Sequence, residues 1–326
     1  MITFRLRWGA LVIAGLLALG NASPAVAQEY PAKAITLVVP FPPGGSTDIA
    51  GRFLGEKMSE ILKQPIIVEN RAGAAGAVGI RAVANAQPDG YTLGVSGVGP
   101  SAILLALGRD IGYDPTGLTY IGHMGSTALL LGARKDLMVK SLADLTALAK
   151  SKPGILNFGT SGAGSPGHLA MELLLSKAGV TMNHVPYQGN APLLNDLIGR
   201  HVDIGVLTMP GTPEHVKNGK VQGIVALGGE RTKDLPDLPT VKESGVPDYA
   251  VELWNVLVGP KGLPQPVVER LAAALSVAMA DPEVRRKLET SSIIPVTMSP
   301  SQARDLVERE KVTWTAVVKA AGSKVK

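Results

Sequence analysis

Residues 35–53 read ITLVVPFPPGGSTDIAGRF, and this stretch decides the fold. Residues 35–40 form a continuous apolar run bounded by proline and glycine, which is the pattern of a strand buried on both faces. Pro42-Pro43-Gly44-Gly45 ends the run. Ser46 and Thr47 are placed to cap a helix, and Asp48 suits its positive N-terminal end. Ile49, Phe53, Leu54, Met58, Ile61 and Leu62 then recur at helical spacing until Pro65. Half a chain later the same grammar returns in residues 156–169, LNFGTSGAGSPGHL. Strand, glycine loop and helix start therefore occur twice.

Outward from the first stretch, residues 66–68 predict a second strand. The glycine-rich ENRAGAAGAVG follows, then a helix over 77–86, a Pro88-Asp89-Gly90 turn and a strand over 91–95. This βαβαβ rhythm predicts a parallel sheet with helices on its faces. Residues 120–121 and 128–132 read as two further short strands. Ser141 with Asp144 three residues on opens another helix. The alternation then restarts, with strands over 155–158, 184–187, 202–207 and 221–227 and helices over 168–178 and 191–198. Residues 251–258 return to a strand pattern, and three helices follow from about Pro266, Pro282 and Pro300. The expected architecture is α/β with two units. The first is 28–135 plus 251–326; the second, 136–250, is an insertion whose two chain crossings would make a hinge.

Composition narrows the function. Arg5 and Arg7, an apolar run over 10–19 and Ala25-Val26-Ala27 have the form of a signal peptide cleaved near Ala27, so residues 1–27 are expected to be removed on export to the periplasm. The chain has no cysteine and so needs no disulfide framework. Its net charge of +5 is scattered, and aromatics are 4% of the residues, which leaves neither the basic stripe nor the stacking platform of a nucleic-acid binder. No P-loop, H-E-x-x-H or G-x-S-x-G occurs, and the five histidines lack metal-ligand spacing. These absences leave no hydrolase or metal-site signal.

Chemistry concentrates in the two loops. Unpaired N–H groups at a helix N-terminus bind anions without a charged side chain. Residues 41–48 and 159–168 contain no Lys or Arg but are rich in hydroxyls. They predict an anion clamp made of backbone amides and hydroxyls. Asp48 has two readings, as a partner of its own helix dipole or as an acceptor for a ligand ammonium or hydroxyl. His168 either caps its helix or lines the cleft, and Tyr187 is either a sheet-end aromatic or a pocket wall. Residues 162–167 also match G-x-G-x-x-G, which offers a dinucleotide-dependent enzyme as an alternative. No acidic residue follows at HVPYQG, where a ribose would need one.

VVPFPPGGSTDIAGR, IIVENRAGAAGAVG, PDGYTLG, LNFGTSGAGSPGHLA, HVPYQG, ERTKDLPDLPTVKESG and VELWNVLVGPKGLP together resemble the extracytoplasmic receptors of tripartite tricarboxylate transporters, the Bug or TctC-like substrate-binding proteins. The resemblance covers essentially the whole chain after residue 27. It implies a type II periplasmic-binding-protein fold, with two α/β domains joined by a two-crossing hinge around a ligand cleft. It also implies a monomer with no cofactor, metal or catalytic group, which hands its ligand to membrane permease subunits. The ligand would be a di- or tricarboxylate, an aromatic carboxylate or an acidic amino acid. Carried across, the first loop supplies Phe41, Gly45, Ser46 and Asp48, and the second supplies Ser161, Gly164, Ser165 and His168. Ser96 and Tyr187 would be further walls. GRHVD at 199–203 and LGRDIGYDPTG depart from the family pattern, the second near the cleft rim. A sensor of the same fold, passing occupancy to a signalling partner, is the alternative within this resemblance.

Overall fold

The computed structural model describes residues 30–321, so the leader reading of residues 1–27 lies outside it. The apolar run becomes β1 (Ile35–Val39), and the helical periodicity becomes α1 (Ser46–Leu62). β2 (Ile66–Asn70), α2 (Ala77–Ala84) and β3 (Thr92–Gly97) complete the first alternation. β4 (Thr119–Arg134) follows, then α3 (Leu142–Ser151), β5 (Asn157–Thr160), α4 (Pro166–Ala178) and β6 (Asn183–Pro186). α5 (Asn190–Ile198), β7 (Ile204–Thr208), the short α6 (Pro213–Lys217) and β8 (Val221–Ala226) come next. The chain ends with β9 (Glu252–Gly259), α7 (Gln265–Ala280), α8 (Pro282–Thr290) and α9 (Pro300–Ala321).

The strands form one curled sheet in the order β2-β1-β3-β9-β4-β7-β5-β6, with β8 also on β4. β4 holds the two halves together. Its residues Thr119 to Ala128 pair antiparallel with β9, and Leu129 to Arg134 pair with β7 and β8. This is one strand of 16 residues where the sequence suggested two short ones. Gly122, His123, Gly125 and Ser126 interrupt the apolar pattern, and the register shifts at the same places, between Tyr120 and Gly122 and between His123 and Ser126. A bulged strand absorbs such residues without ending.

α1 illustrates why the first half holds together. Ala50, Leu54, Met58 and Leu62, four apart, are all buried with Leu37 and Val39 of β1 in one apolar cluster. Gly51 lets the helix approach closely, since a Cβ there would lie 3.0 Å from Val39 Cγ2. Complete burial of Leu54 alone contributes about 2 kcal/mol. The C-terminal helix packs on the other face. Its Ala303, Val307, Trp314 and Val318 join a cluster with Ile103 of the first half and Leu169 and Ala170 of the second. Helix starts follow local chemistry, since Ser141 accepts the Asp144 N–H and Asp281 accepts those of Glu283 and Val284.

Candidate ligand-binding site

The loop between β1 and α1 is shaped by an acid of α1. The Asp48 carboxylate, on a residue only 3% exposed, accepts the Gly44 N–H at 3.0 Å and Asn70 Nδ2 at 2.8 Å. Arg52, one turn further, donates from Nε at 3.0 Å and pairs again through its NH2 nitrogen at 3.0 Å. Asn70, at the end of β2, also donates to the Phe41 carbonyl at 3.0 Å. Burial raises the Asp48 pKa, but hydrogen bonds from Arg52, Asn70 and Gly44 outweigh it and hold the carboxyl below the usual range. Of the two readings of Asp48, the geometry supports the one in which it serves its own loop and helix.

Ser46 and Thr47 do not cap α1, contrary to the sequence expectation. Gly45 is the N-cap, in extended conformation and without a side-chain cap bond. Both hydroxyl residues already lie inside the helix, and Thr47 Oγ1 donates instead to Asn255 Oδ1 of β9 at 2.9 Å. The first turn of α1 therefore offers its N–H groups without a side-chain competitor.

The second loop, between β5 and α4, is built differently. Ser165 is the N-cap of α4 and accepts the His168 N–H at 3.3 Å. Gly164, at φ +72°, turns its own N–H onto His168 Nδ1 at 3.1 Å. Thr160 gives its hydroxyl hydrogen to the Gly162 carbonyl at 3.0 Å. That hydroxyl has one hydrogen, so the 2.7 Å contact with His184 Nε2 makes the imidazole the donor. The His168 and His184 rings stack with centroids 3.8 Å apart, and Phe158 lies 5.0 Å from His184. Burial lowers the pKa of each to about 4, helped at His184 by the neighbouring His168. Both are neutral at pH 7 and act as a prop beneath the loop.

Both loops come near the short helical segment after β3. A Cβ on Gly164 would lie 3.3 Å from Leu107 Cδ1, and one on Gly99 would lie 3.9 Å from Pro166 Cδ. A Cβ on Gly76 would lie 3.2 Å from both Phe41 Cζ and Pro100 Cγ. Phe41 and Gly164 thus lie near one helical segment, from opposite halves of the sheet. Phe41 and Gly45 lie on the first loop, with Ser46 and Asp48 in the first turn of α1; Ser161 and Gly164 lie on the second, with Ser165 as N-cap and His168 in the first turn of α4, and Ser161 is exposed. Ser96, at the end of β3, is 0% exposed, and its hydroxyl meets that of Ser101 at 2.7 Å. Tyr187 lies against Gly159, its hydroxyl donates to Asp196 at 2.9 Å, and burial followed by that bond raises its pKa to about 12.

Asn255 went unnoticed in the sequence. It stands opposite Gly97 at the end of β3, is 3% exposed, and its Nδ2 has no partner among the described residues. Its signal was a single amide inside an apolar strand run, VELWNVLV. Among the described residues no cluster of side chains has the composition of a metal site, and no helix is long and apolar enough to cross a membrane.

A curled sheet with helices on its faces is the fold of the periplasmic solute-binding proteins. The chain is similar to Rpa4515 of R. palustris, solved with adipate, with a TM-score of 0.86 and 33% identity over 90% of this chain and 99% of that one. It is similar also to MatC of Rhodopseudomonas palustris, solved with bound malate, with a TM-score of 0.83 and 32% identity over 88% of this chain and 99% of that one. Protein BugT of Bordetella pertussis is 34% identical over 94% of this chain and 95% of its own length. Residues 50–323 match the model of the tripartite tricarboxylate transporter family receptor, TctC, and the chain belongs to that family. It is a binding receptor and not an enzyme, which removes the dinucleotide reading of residues 162–167.

Proposed function

We propose that this protein is a periplasmic receptor that holds a small organic carboxylate between the loops 41–48 and 159–168 and delivers it to the membrane subunits of a tripartite transporter. The reading is supported by the N-terminal turn of α1, whose N–H groups have no side-chain cap, and by a second glycine loop that packs near the same helical segment after β3. Backbone N–H groups and the helix dipole bind a carboxylate there and release it again, as delivery requires. Asp48 shapes the first loop, and His168 props the second. Carboxylates bound by relatives of about one-third identity support the same ligand class here. The units 28–135 plus 251–326 and 136–250 then close on the ligand by bending at β4 and at the return into β9, and the closed monomer is what the permease reads.

The test is a thermal-shift panel of malate, adipate, citrate, benzoate, glutamate and a nicotinamide dinucleotide. A ligand of the native state raises the melting temperature in step with its excess over Kd. Stabilisation by at least one carboxylate is expected. Silence from all of them would overturn the proposal.

A further inference from the structure

Asn255 of β9 carries an amide whose orientation is set by the first turn of α1. Thr47 Oγ1 has donated to Asn255 Oδ1 at 2.9 Å, so the oxygen end of the amide faces Thr47. The Nδ2 end is left as a donor, wholly buried and without a partner among the described residues. A buried donor of this kind costs on the order of 1–3 kcal/mol unless something accepts from it. It stands opposite Gly97, at the end of β3, and its amide is anchored in the first turn of α1, where the helix also presents donors.

The side-chain acceptors beside the first loop are already used. Both Asp48 carboxylate oxygens are bonded, to Gly44, Asn70 and Arg52. Asn70 Oδ1 accepts from Arg52 at 2.9 Å, and the Phe41 carbonyl accepts from Asn70. This wall thus offers N–H groups and an orphaned amide donor, with its acidic side chain engaged elsewhere.

From this we infer that Asn255, oriented by Thr47, is a specificity-determining residue that accepts ligand oxygen and rejects ligand ammonium. The inference rests on the proposed carboxylate receptor and narrows its ligand to carboxylic, hydroxy- or oxo-acids, excluding amino acids. Malate and aspartate are the decisive pair, because they differ only in a hydroxyl against an ammonium at one carbon. An ammonium set among donors meets repulsion and no acceptor, whereas a hydroxyl or carboxylate oxygen satisfies Nδ2.

The experiment is calorimetric titration of the protein with malate, adipate and aspartate, for the wild type and for Thr47→Val/Asn255→Leu. Replacing both hydrogen-bonding partners by apolar groups of similar shape leaves the ligand-free protein near its original stability, which the melting temperature checks. The wild type should prefer malate to aspartate by about tenfold or more, and the double variant should lose about tenfold in malate and adipate affinity. Asn255→Ser, which keeps a small polar group, serves as the second variant if the double variant does not fold, and should show the same direction of loss. Aspartate binding the wild type as tightly as malate would overturn the inference while leaving the receptor reading intact. So would full malate and adipate affinity in the folded variant. A wild type that responds to no carboxylate would remove both.

Discussion

Lowering the pH should loosen the second loop, and the histidine stack makes the size of the effect calculable. His168 Nδ1 accepts the Gly164 N–H at 3.1 Å, so that nitrogen must be unprotonated. Protonation turns it into a second donor facing the first, and the loop loses its prop. Burial lowers the His168 pKa from 6.5 to about 4, even though Glu172 stands 4.0 Å from Nε2. An unfolded chain therefore binds a proton, between pH 6.5 and about 4, that the folded chain refuses. The sign follows. The contribution is fully present above pH 6.5 and is lost as pH falls towards about 4. At 1.36 kcal/mol per pH unit the ceiling is about 3 kcal/mol. His184 and His123, each also lowered to about 4 by burial, titrate in the same window, so His168 supplies only a share. Urea unfolding of the wild type and His168→Gln across this range measures that share. Glutamine can still accept the Gly164 N–H but cannot titrate, so its acid-side loss should be smaller by up to about 3 kcal/mol. Equal pH dependence in the two proteins would refute the argument.

Three further outcomes follow from contacts in the two loops. Asp48→Ala should cost about 2–4 kcal/mol in chemical denaturation, because Gly44 N–H, Asn70 and Arg52 lose their common acceptor, and carboxylate affinity should fall with the loop's order. Gly164→Val combines a positive φ with a Cβ 3.3 Å from Leu107, so the ligand-induced thermal shift should disappear, measured against the variant's own ligand-free melting point. Gly159→Ala would drive a Cβ into Leu193 Cδ1 and to 2.9 Å from Tyr187 Cε2, and a destabilisation of about 1–3 kcal/mol is expected by thermal melting.

Local chemistry made much of this molecule legible. β1, α1 and β2 lie where the apolar run, the four-residue spacing and Pro65 put them, and the Ser141 and Asp281 caps form as their sequences suggest. What stayed hidden depends on distant partners. β4 reads as two fragments because its glycines, His123 and Ser126 are tolerated only through bulges against β9. The Asp48–Arg52 pair is visible at a spacing of four residues, but Asn70 reaches the same carboxylate from the neighbouring strand. The Ser46 and Thr47 cap failed because Thr47 found an acceptor 208 residues away, in β9. That same long-range bond orients Asn255, whose role therefore could not be read from its own segment.

The central claim is that a carboxylate sits between the two loops and is gripped by backbone N–H groups. A crystal structure of the protein with adipate tests it most directly. One carboxylate should lie within about 3 Å of N–H groups from both residues 44–48 and residues 161–165. A ligand seated elsewhere, or a carboxylate held by a Lys or Arg side chain with both loops untouched, would contradict it.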